Sequence, residues 1–192
     1  MKFVSGLANC HLPGLYSLVL SERESATVGM RRVFYAGVDC HMDLWDGADF
    51  RIKPHNHRQD IKLTLLFGKV ENVSMKIQPI GFEEFHVWKY EFGSALLNGQ
   101  FDLKRREEVG VILKAAPITK EGIHLHWSDV HTVTAKPHSA WLIEEGDRAP
   151  EGMERCYSIS HHLEMSSEGL YQSMTADALL SMERVIQERM AA

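Results

Sequence analysis

The chain has 192 residues, of which 44% are hydrophobic and 24% charged, and its formal net charge is -5 at pH 7. This balance is typical of a soluble globular protein, and the length suits one domain with a real hydrophobic core. An acidic chain without a long Lys/Arg run argues against nucleic-acid binding, and no apolar stretch is long enough to span a membrane.

The three cysteines give information about the expected cellular compartment. Cys10, Cys40 and Cys156 form no CxxC pair, and an odd number cannot close into a complete disulfide framework. The first residues also lack the long apolar run of a signal peptide. We therefore expect reduced thiols and a cytoplasmic location.

The sequence pattern predicts short β-strands over most of the chain. Nine segments combine β-branched, aromatic or alternating apolar residues, and glycine or proline turn signals separate them. These segments are 16–20, 32–38, 61–67, 70–77, 85–92, 109–113, 123–127, 132–135 and 140–143. Many short strands with regularly spaced turns predict an all-β sandwich or barrel over residues 1–173, including its N-terminal strands.

The last part of the chain changes to a helical period. Apolar residues recur every three or four positions, and Thr175 before them suits a helix N-cap. We expect residues 174–192 to form a C-terminal helix that packs its apolar stripe on the barrel or on a second copy of the chain. The stripe consists of Leu179, Met182, Ile186 and Met190.

Two histidines directly before the 61–67 strand carry the strongest chemical signal. His55 and His57 are two residues apart, so an extended chain projects both side chains to the same side. They share parity with the apolar residues of the strand and should face the interior with them. Gln59 has the same parity and is expected to contact a ligand or bound water, whereas Asp60 should point outward.

A third histidine opens a later strand. His131 shares parity with the apolar Val133 and Ala135, so its ring should also face inward. The nearby pair His124 and His126 alternates with apolar residues and is expected to face solvent. The His126 ring is nevertheless near enough in sequence to act beside His131, which makes it a candidate catalytic group.

This combination of motifs resembles the cupin superfamily. An HxH motif and an apolar strand closed by glycine appear as HNHRQDIKLTLLFGKV, and a distant histidine opens a second strand in DVHTVTAKPHSAWLIEEG. The resemblance covers roughly residues 53–146. It implies a jelly-roll barrel, a double-stranded β-helix, that binds one metal ion through His55, His57 and His131.

The chain departs from the usual cupin pattern at one ligand position. Many cupins have a glutamate that three or four residues separate from the HxH motif, and this chain has Ile61 and Lys62 at these positions. The difference favours a three-histidine site like that of thiol dioxygenases. The long interval between the two motifs indicates extra strands or an excursion between them.

The resemblance leaves three functions open. Three neutral imidazoles with open positions suit Fe(II) first, and also Zn, Mn or Ni. The first function is an Fe(II) dioxygenase acting on a small molecule, with Gln59 and His126 as candidate catalytic residues. The second is a redox-neutral metal-assisted isomerase, lyase or hydrolase. The third is a non-catalytic protein that binds or sequesters a small molecule, and in each case a homodimer through edge strands would fit.

Overall fold

The computed structural model describes residues 1–10, 12–21, 30–42, 51–52, 54–78, 84–91, 102–150, 155–160 and 171–192. Side chains are described in these ranges except at 77–78, 84–91, 102–111 and 155–160. The described residues form an all-β fold of antiparallel sheets with one C-terminal helix, as predicted.

The elements follow one another in this order. The strands are β1 Phe3–Asn9, β2 Leu15–Leu20, β3 Arg31–Ala36, β4 Gln59–Phe67, β5 Val70–Gln78, β6 Glu84–Glu91, β7 Asp102–Pro117, β8 Ile123–Leu125, β9 Val130–Ala135, β10 Ser139–Arg148, β11 Arg155–Ser160 and β12 Tyr171–Ser173. The helix, α1, spans Ala176–Ala191. Each of the nine predicted segments overlaps one of these strands.

The strands form two sheets that enclose the main core. The larger sheet has the order β12-β1-β2-β3-β10-β4-β8, and the smaller has the order β11-β6-β7-β5-β9. Among the described strands the two sheets remain separate ladders and do not close into one barrel. Buried side chains from both sheets meet between them, including Leu63, Trp141, Val70 and Val133.

The larger sheet is buried on both of its faces, because α1 covers the side away from the smaller sheet. In β2, Leu15 packs between the sheets, whereas Leu18 and Leu20 pack toward Ile186 of the helix. A strand buried on both faces loses the clean alternation of apolar and polar residues. This explains the weak alternation of the 16–20 segment.

A bulge in β4 changes the face on which its last residue lies. Ile61 and Leu63 are buried between the sheets, as their parity predicts. Trp141 of β10 is paired with Leu65, but the preceding residue, Ala140, is paired with Phe67, so β4 contains one extra residue. Phe67 therefore packs on the helix side, and the expectation that it shares the interior face with Ile61 is wrong.

The C-terminal helix begins and packs largely as predicted. Thr175 is the N-cap, and its hydroxyl oxygen accepts a hydrogen bond from the backbone N–H of Ala178 at 3.2 Å. Ile186 is fully buried, and Leu179 and Met182 pack beside it on the larger sheet. Met190 in the last turn, where α1 borders a cavity, is 47% exposed in the single chain, and its burial against a second copy of the chain stays a prediction.

Two connections between the sheets meet at one end of the sandwich. Gly68 follows β4 with φ +83°, and a Cβ atom there would lie 2.6 Å from the Cα of Ser139. The Ser139 hydroxyl accepts from the backbone N–H of Lys69 at 2.9 Å, and Lys136 donates its N–H to the Lys69 carbonyl at 3.0 Å. These contacts join the β4–β5 and β9–β10 connections into a corner formed by residues 68–69 and 136–139.

The side chains of two of the three cysteines are described. Cys10 is exposed, Cys40 is buried, and neither forms a disulfide bond among the described residues, while the side chain of Cys156 lies outside the described part of the chain. Within the ranges that the structure describes, no helix has the length and apolar character needed to cross a membrane.

Candidate metal centre

The fold brings the three predicted ligands into one cluster. One imidazole nitrogen from each of His55, His57 and His131 lies within 4.8 Å of the corresponding nitrogens of the other two. The ring centroids are separated by 4.8 Å (His55–His57), 5.5 Å (His55–His131) and 5.0 Å (His57–His131). Three rings at nearly equal separations form a group that is compatible with a metal ion.

Backbone pairing positions the HxH segment against β9. His55 and His131 form an isolated antiparallel bridge in which each N–H donates to the other carbonyl at 2.9 Å. Residues directly opposite each other in such a pair project their side chains to the same face. His57 donates its own N–H to the Trp127 carbonyl at 3.1 Å, which anchors the second histidine on the turn before β9.

The ring of His131 is oriented by a buried hydrogen bond. Only 2% of His131 is exposed, and the residue shares the interior face of β9 with Val133 and Ala135, as predicted. Its Nδ1 lies 2.7 Å from the amide oxygen of Asn72, which accepts the hydrogen bond. The proton is therefore on Nδ1, and the lone pair of Nε2 is left to face the cluster.

The spacing of the ring nitrogens fits metal coordination. The Nε2 atoms of His57 and His131 are 2.8 Å apart. Two imidazole nitrogens bound at about 2.0–2.1 Å to one ion lie about 2.8–3.0 Å apart when the angle between the bonds is near 90°. The two rings would need little rearrangement to bind the same ion.

Burial keeps two of the rings in the form that binds metals. Desolvation, with a smaller contribution from the nearby His55, lowers the pKa of His57 to about 3. Desolvation also lowers the pKa of His131 well below its usual value, with additional contributions from His55 and His57. Both rings are therefore neutral near pH 7, which is the state that donates a lone pair to a cation.

The other candidate residues lie outside this group of three nitrogens. Gln59 is half-buried at the start of β4, where it is paired with Arg148. His124 and His126 are exposed, as their parity predicts. The Nδ1 of His126 is hydrogen-bonded to the hydroxyl of Ser128 at 2.7 Å. The cluster thus does not include either candidate catalytic residue.

Asp60 has a supporting role that the sequence did not indicate. Its carboxylate accepts a hydrogen bond from the backbone N–H of Trp127 at 2.8 Å. The carbonyl of the same residue, Trp127, accepts a hydrogen bond from the N–H of His57. Asp60 therefore holds the turn on which His57 rests.

Asn72 is the residue at the site that sequence reasoning missed. The apolar alternation of β5 places Val73 and Met75 on one face, and both are buried there. Asn72 is on the other face, toward the core between the sheets, with Val70. The sequence contains one sign of this role, because Asn72 has the same strand parity as the interior residue Val70. Its partner could not be predicted, because His131 lies 59 residues away.

Comparison with known proteins adds no family assignment. The chain matches no known family model and no curated protein sequence. The chemistry of this protein is therefore inferred from the geometry of its three-histidine cluster.

Proposed function

We propose that this protein is a cupin-type metalloenzyme that binds one divalent ion through His55, His57 and His131 and oxidises a small molecule with oxygen. The observation that carries the proposal is the convergence of three imidazole rings, two of them kept neutral by burial. The two antiparallel sheets and the spacing of the two sequence motifs support the cupin part of the proposal. The preferred metal is Fe(II), with Zn, Mn and Ni as alternatives.

The residues of the chain have distinct roles in this proposal. Asn72 accepts the Nδ1 proton of His131 and so directs Nε2 toward the ion, while the backbone bridge places His55 beside it. When bound, Fe(II) supplies open coordination positions at which a small substrate and oxygen can meet. Gln59 and His126 remain the proposed catalytic residues. Alanine variants of each should lower substrate-dependent oxygen uptake.

The charge of the ligand set bears on the substrate. Within the described residues no carboxylate belongs to the cluster. An imidazole that binds a cation does so in its neutral form, so three such ligands would leave the charge of a divalent ion uncompensated. A net positive site attracts an anionic or chelating molecule. We therefore favour substrates that carry a carboxylate, thiolate or enolate next to the reacting carbon.

Metal analysis tests the ligand assignment. The purified protein should contain about one divalent ion per chain, and His57→Ala or His131→Ala should remove most of it while the chain stays folded. His124→Ala is the matched control, because this histidine is exposed and lies outside the cluster. Full metal content in both cluster variants, measured by elemental analysis with folding checked by circular dichroism, would reject the proposed site.

Oxygen uptake tests the proposed chemistry. The metal-free protein is loaded with Fe(II) without oxygen, mixed with a panel of thiols, amino acids and phenols, and then exposed to oxygen. Substrate-dependent uptake that is absent in His57→Ala is the expected result. Turnover that needs no oxygen would instead indicate the redox-neutral enzyme, and retention of one unreacted molecule would indicate the binding protein.

The oligomeric state is a separate part of the proposal. Edge strands such as β8 and β12 end the larger sheet and leave backbone groups that a second copy can pair with. We expect a homodimer, and light scattering of the purified chain measures it directly.

A further inference from the structure

A cavity lies away from the histidine cluster. It has a volume of about 610 Å³ and is formed between the last turns of α1 and the helix-facing side of the larger sheet. His131 is near the start of β9 and His138 follows its end, so the cavity and the cluster lie at opposite ends of that strand. The cavity volume is in the range typical of small-molecule sites.

One side of the cavity is aromatic and apolar. Tyr16 and Tyr35 are directly paired on β2 and β3, and their rings are stacked with centroids 6.3 Å apart and an interplanar angle of 19°. Met182 and Val185 of α1 line the cavity with them. Val38 also lines it and is 62% exposed. These side chains suit contact with a flat apolar ring.

A polar group of three residues borders the same cavity. The Nδ1 of His138 lies 3.4 Å from the hydroxyl of Tyr35 and 3.4 Å from Nη2 of Arg189. Arginine only donates, so Nδ1 accepts and the ring proton is on Nε2. Both contacts are near the outer limit of a hydrogen bond, so these donors retain capacity for a stronger acceptor such as a carboxylate.

The backbone at His138 is strained. It has φ +60°, and it is the one residue other than glycine with positive φ in the part of the chain that the structure describes. After Pro137, glycine would adopt this turn without strain. A side chain kept at such a position indicates a role for the imidazole.

The cavity lining also carries negative charge. Asp39 and Glu188 line it together with Arg189, so groups of both signs border one space. We propose that this cavity is a second binding site, for a free aromatic α-amino acid. The aromatic ring lies against Tyr16 and Tyr35, and the ammonium group meets Asp39 or Glu188. The carboxylate accepts hydrogen bonds from Arg189, from the Tyr35 hydroxyl and from the Nε2–H of His138.

The state of the Tyr35 hydroxyl is consistent with this arrangement. Burial raises its pKa, which outweighs the opposing effect of the positive charge of Arg189. The hydroxyl therefore stays protonated near pH 7 and can donate a hydrogen bond to a carboxylate.

Calorimetric titration with L-phenylalanine, 3-phenylpropionate and 2-phenylethylamine tests the proposal. The full-length protein should bind L-phenylalanine, and each analogue should bind about ten-fold more weakly or worse because one charged contact is lost. Arg189→Ala and His138→Gly should each weaken L-phenylalanine binding by about ten-fold or more. Arg184→Ala is the matched control, since this arginine is exposed on α1 and does not line the cavity.

His138→Gly separates a ligand-binding role from a structural one. Glycine relieves the positive φ, so this variant should melt at the same or a higher temperature while losing the ligand. Undetectable binding of L-phenylalanine at millimolar concentration, or unchanged binding in both variants, overturns the proposal. Equal binding of 3-phenylpropionate overturns the amino-acid class, and loss of binding in His57→Ala moves the ligand to the histidine cluster.

Discussion

The 2.7 Å hydrogen bond between His131 and Asn72 determines which imidazole nitrogen faces the cluster. At the scale of single residues, the inward direction of the three histidines could be predicted, because alternation along a strand depends only on the local chain. The partner Asn72 could not, because β5 and β9 are paired through tertiary contacts. The supporting role of Asp60 depends in the same way on where the Trp127 turn is placed.

Removal of the Asn72 amide should weaken metal binding without removing a ligand. Asn72→Ala leaves the His131 ring free to change its tautomer and orientation, and such supporting partners typically contribute about 10–100-fold in metal affinity. Competition with a chromophoric chelator measures the change. Thr134→Val, which alters the opposite face of β9, should leave the affinity unchanged, and an equal loss in both variants would point to general destabilisation instead.

The buried histidines should make the metal-free protein sensitive to acid. The pKa of His57 is about 3 in the folded chain and near 6.5 when unfolded, so the unfolded chain takes up the proton first as the pH falls. Stability is complete above about pH 6.5 and is lost progressively toward pH 3, by up to about 1.4 kcal/mol per pH unit for this residue.

Urea unfolding of the metal-free protein at several pH values between neutrality and moderate acidity checks this slope. His57→Gln removes one titrating ring, so its stability should depend less steeply on pH. An identical slope in the variant would mean that other groups cause the loss.

At the scale of elements, strands with clear alternation were predictable and those without it were not. β4 and β9 could be predicted from the sequence, because one face of each strand packs into the core and its apolar residues alternate with others. β1 and β12 had no individual prediction, since β1 carries an internal glycine and β12 is exposed along its length. The bulge in β4 also depends on pairing with β10, which a local pattern does not contain.

The apolar stripe of α1 should contribute unequally to stability. Ile186 is fully buried against the larger sheet, so Ile186→Ala should cost about 2–4 kcal/mol of unfolding free energy. Met190 is half exposed, and Met190→Ala should change the unfolding free energy by less than about 0.5 kcal/mol. Urea titration of both variants checks the difference, and similar losses would contradict the packing of α1 described above.

At the scale of the whole molecule, the all-β class followed from the number and spacing of the strands, but the assignment of each strand to one of the two sheets did not. The order of strands within each sheet mixes distant parts of the chain, as in β3-β10-β4. The cavity beside α1 likewise arises only once the helix is placed on the sheet. Local periodicity contains no information on either arrangement.

Metal binding should stabilise the whole fold. An ion that binds only the folded chain adds about 2.7 kcal/mol at a free concentration 100 times its Kd. The melting temperature should therefore rise with added metal in the parent protein and in His124→Ala. It should stay constant in His131→Ala, and a rise there would place the binding elsewhere.

The backbone bridge between His55 and His131 also makes the site observable through its own amide hydrogens. Each of these two N–H groups is donated to the other residue's carbonyl, so both exchange with solvent only when the HxH segment separates from β9. An ion held by the two side chains would oppose that separation. Deuterium uptake at these two amides would then slow in proportion to metal occupancy, giving a label-free reading of the site even with a spectroscopically silent ion such as zinc.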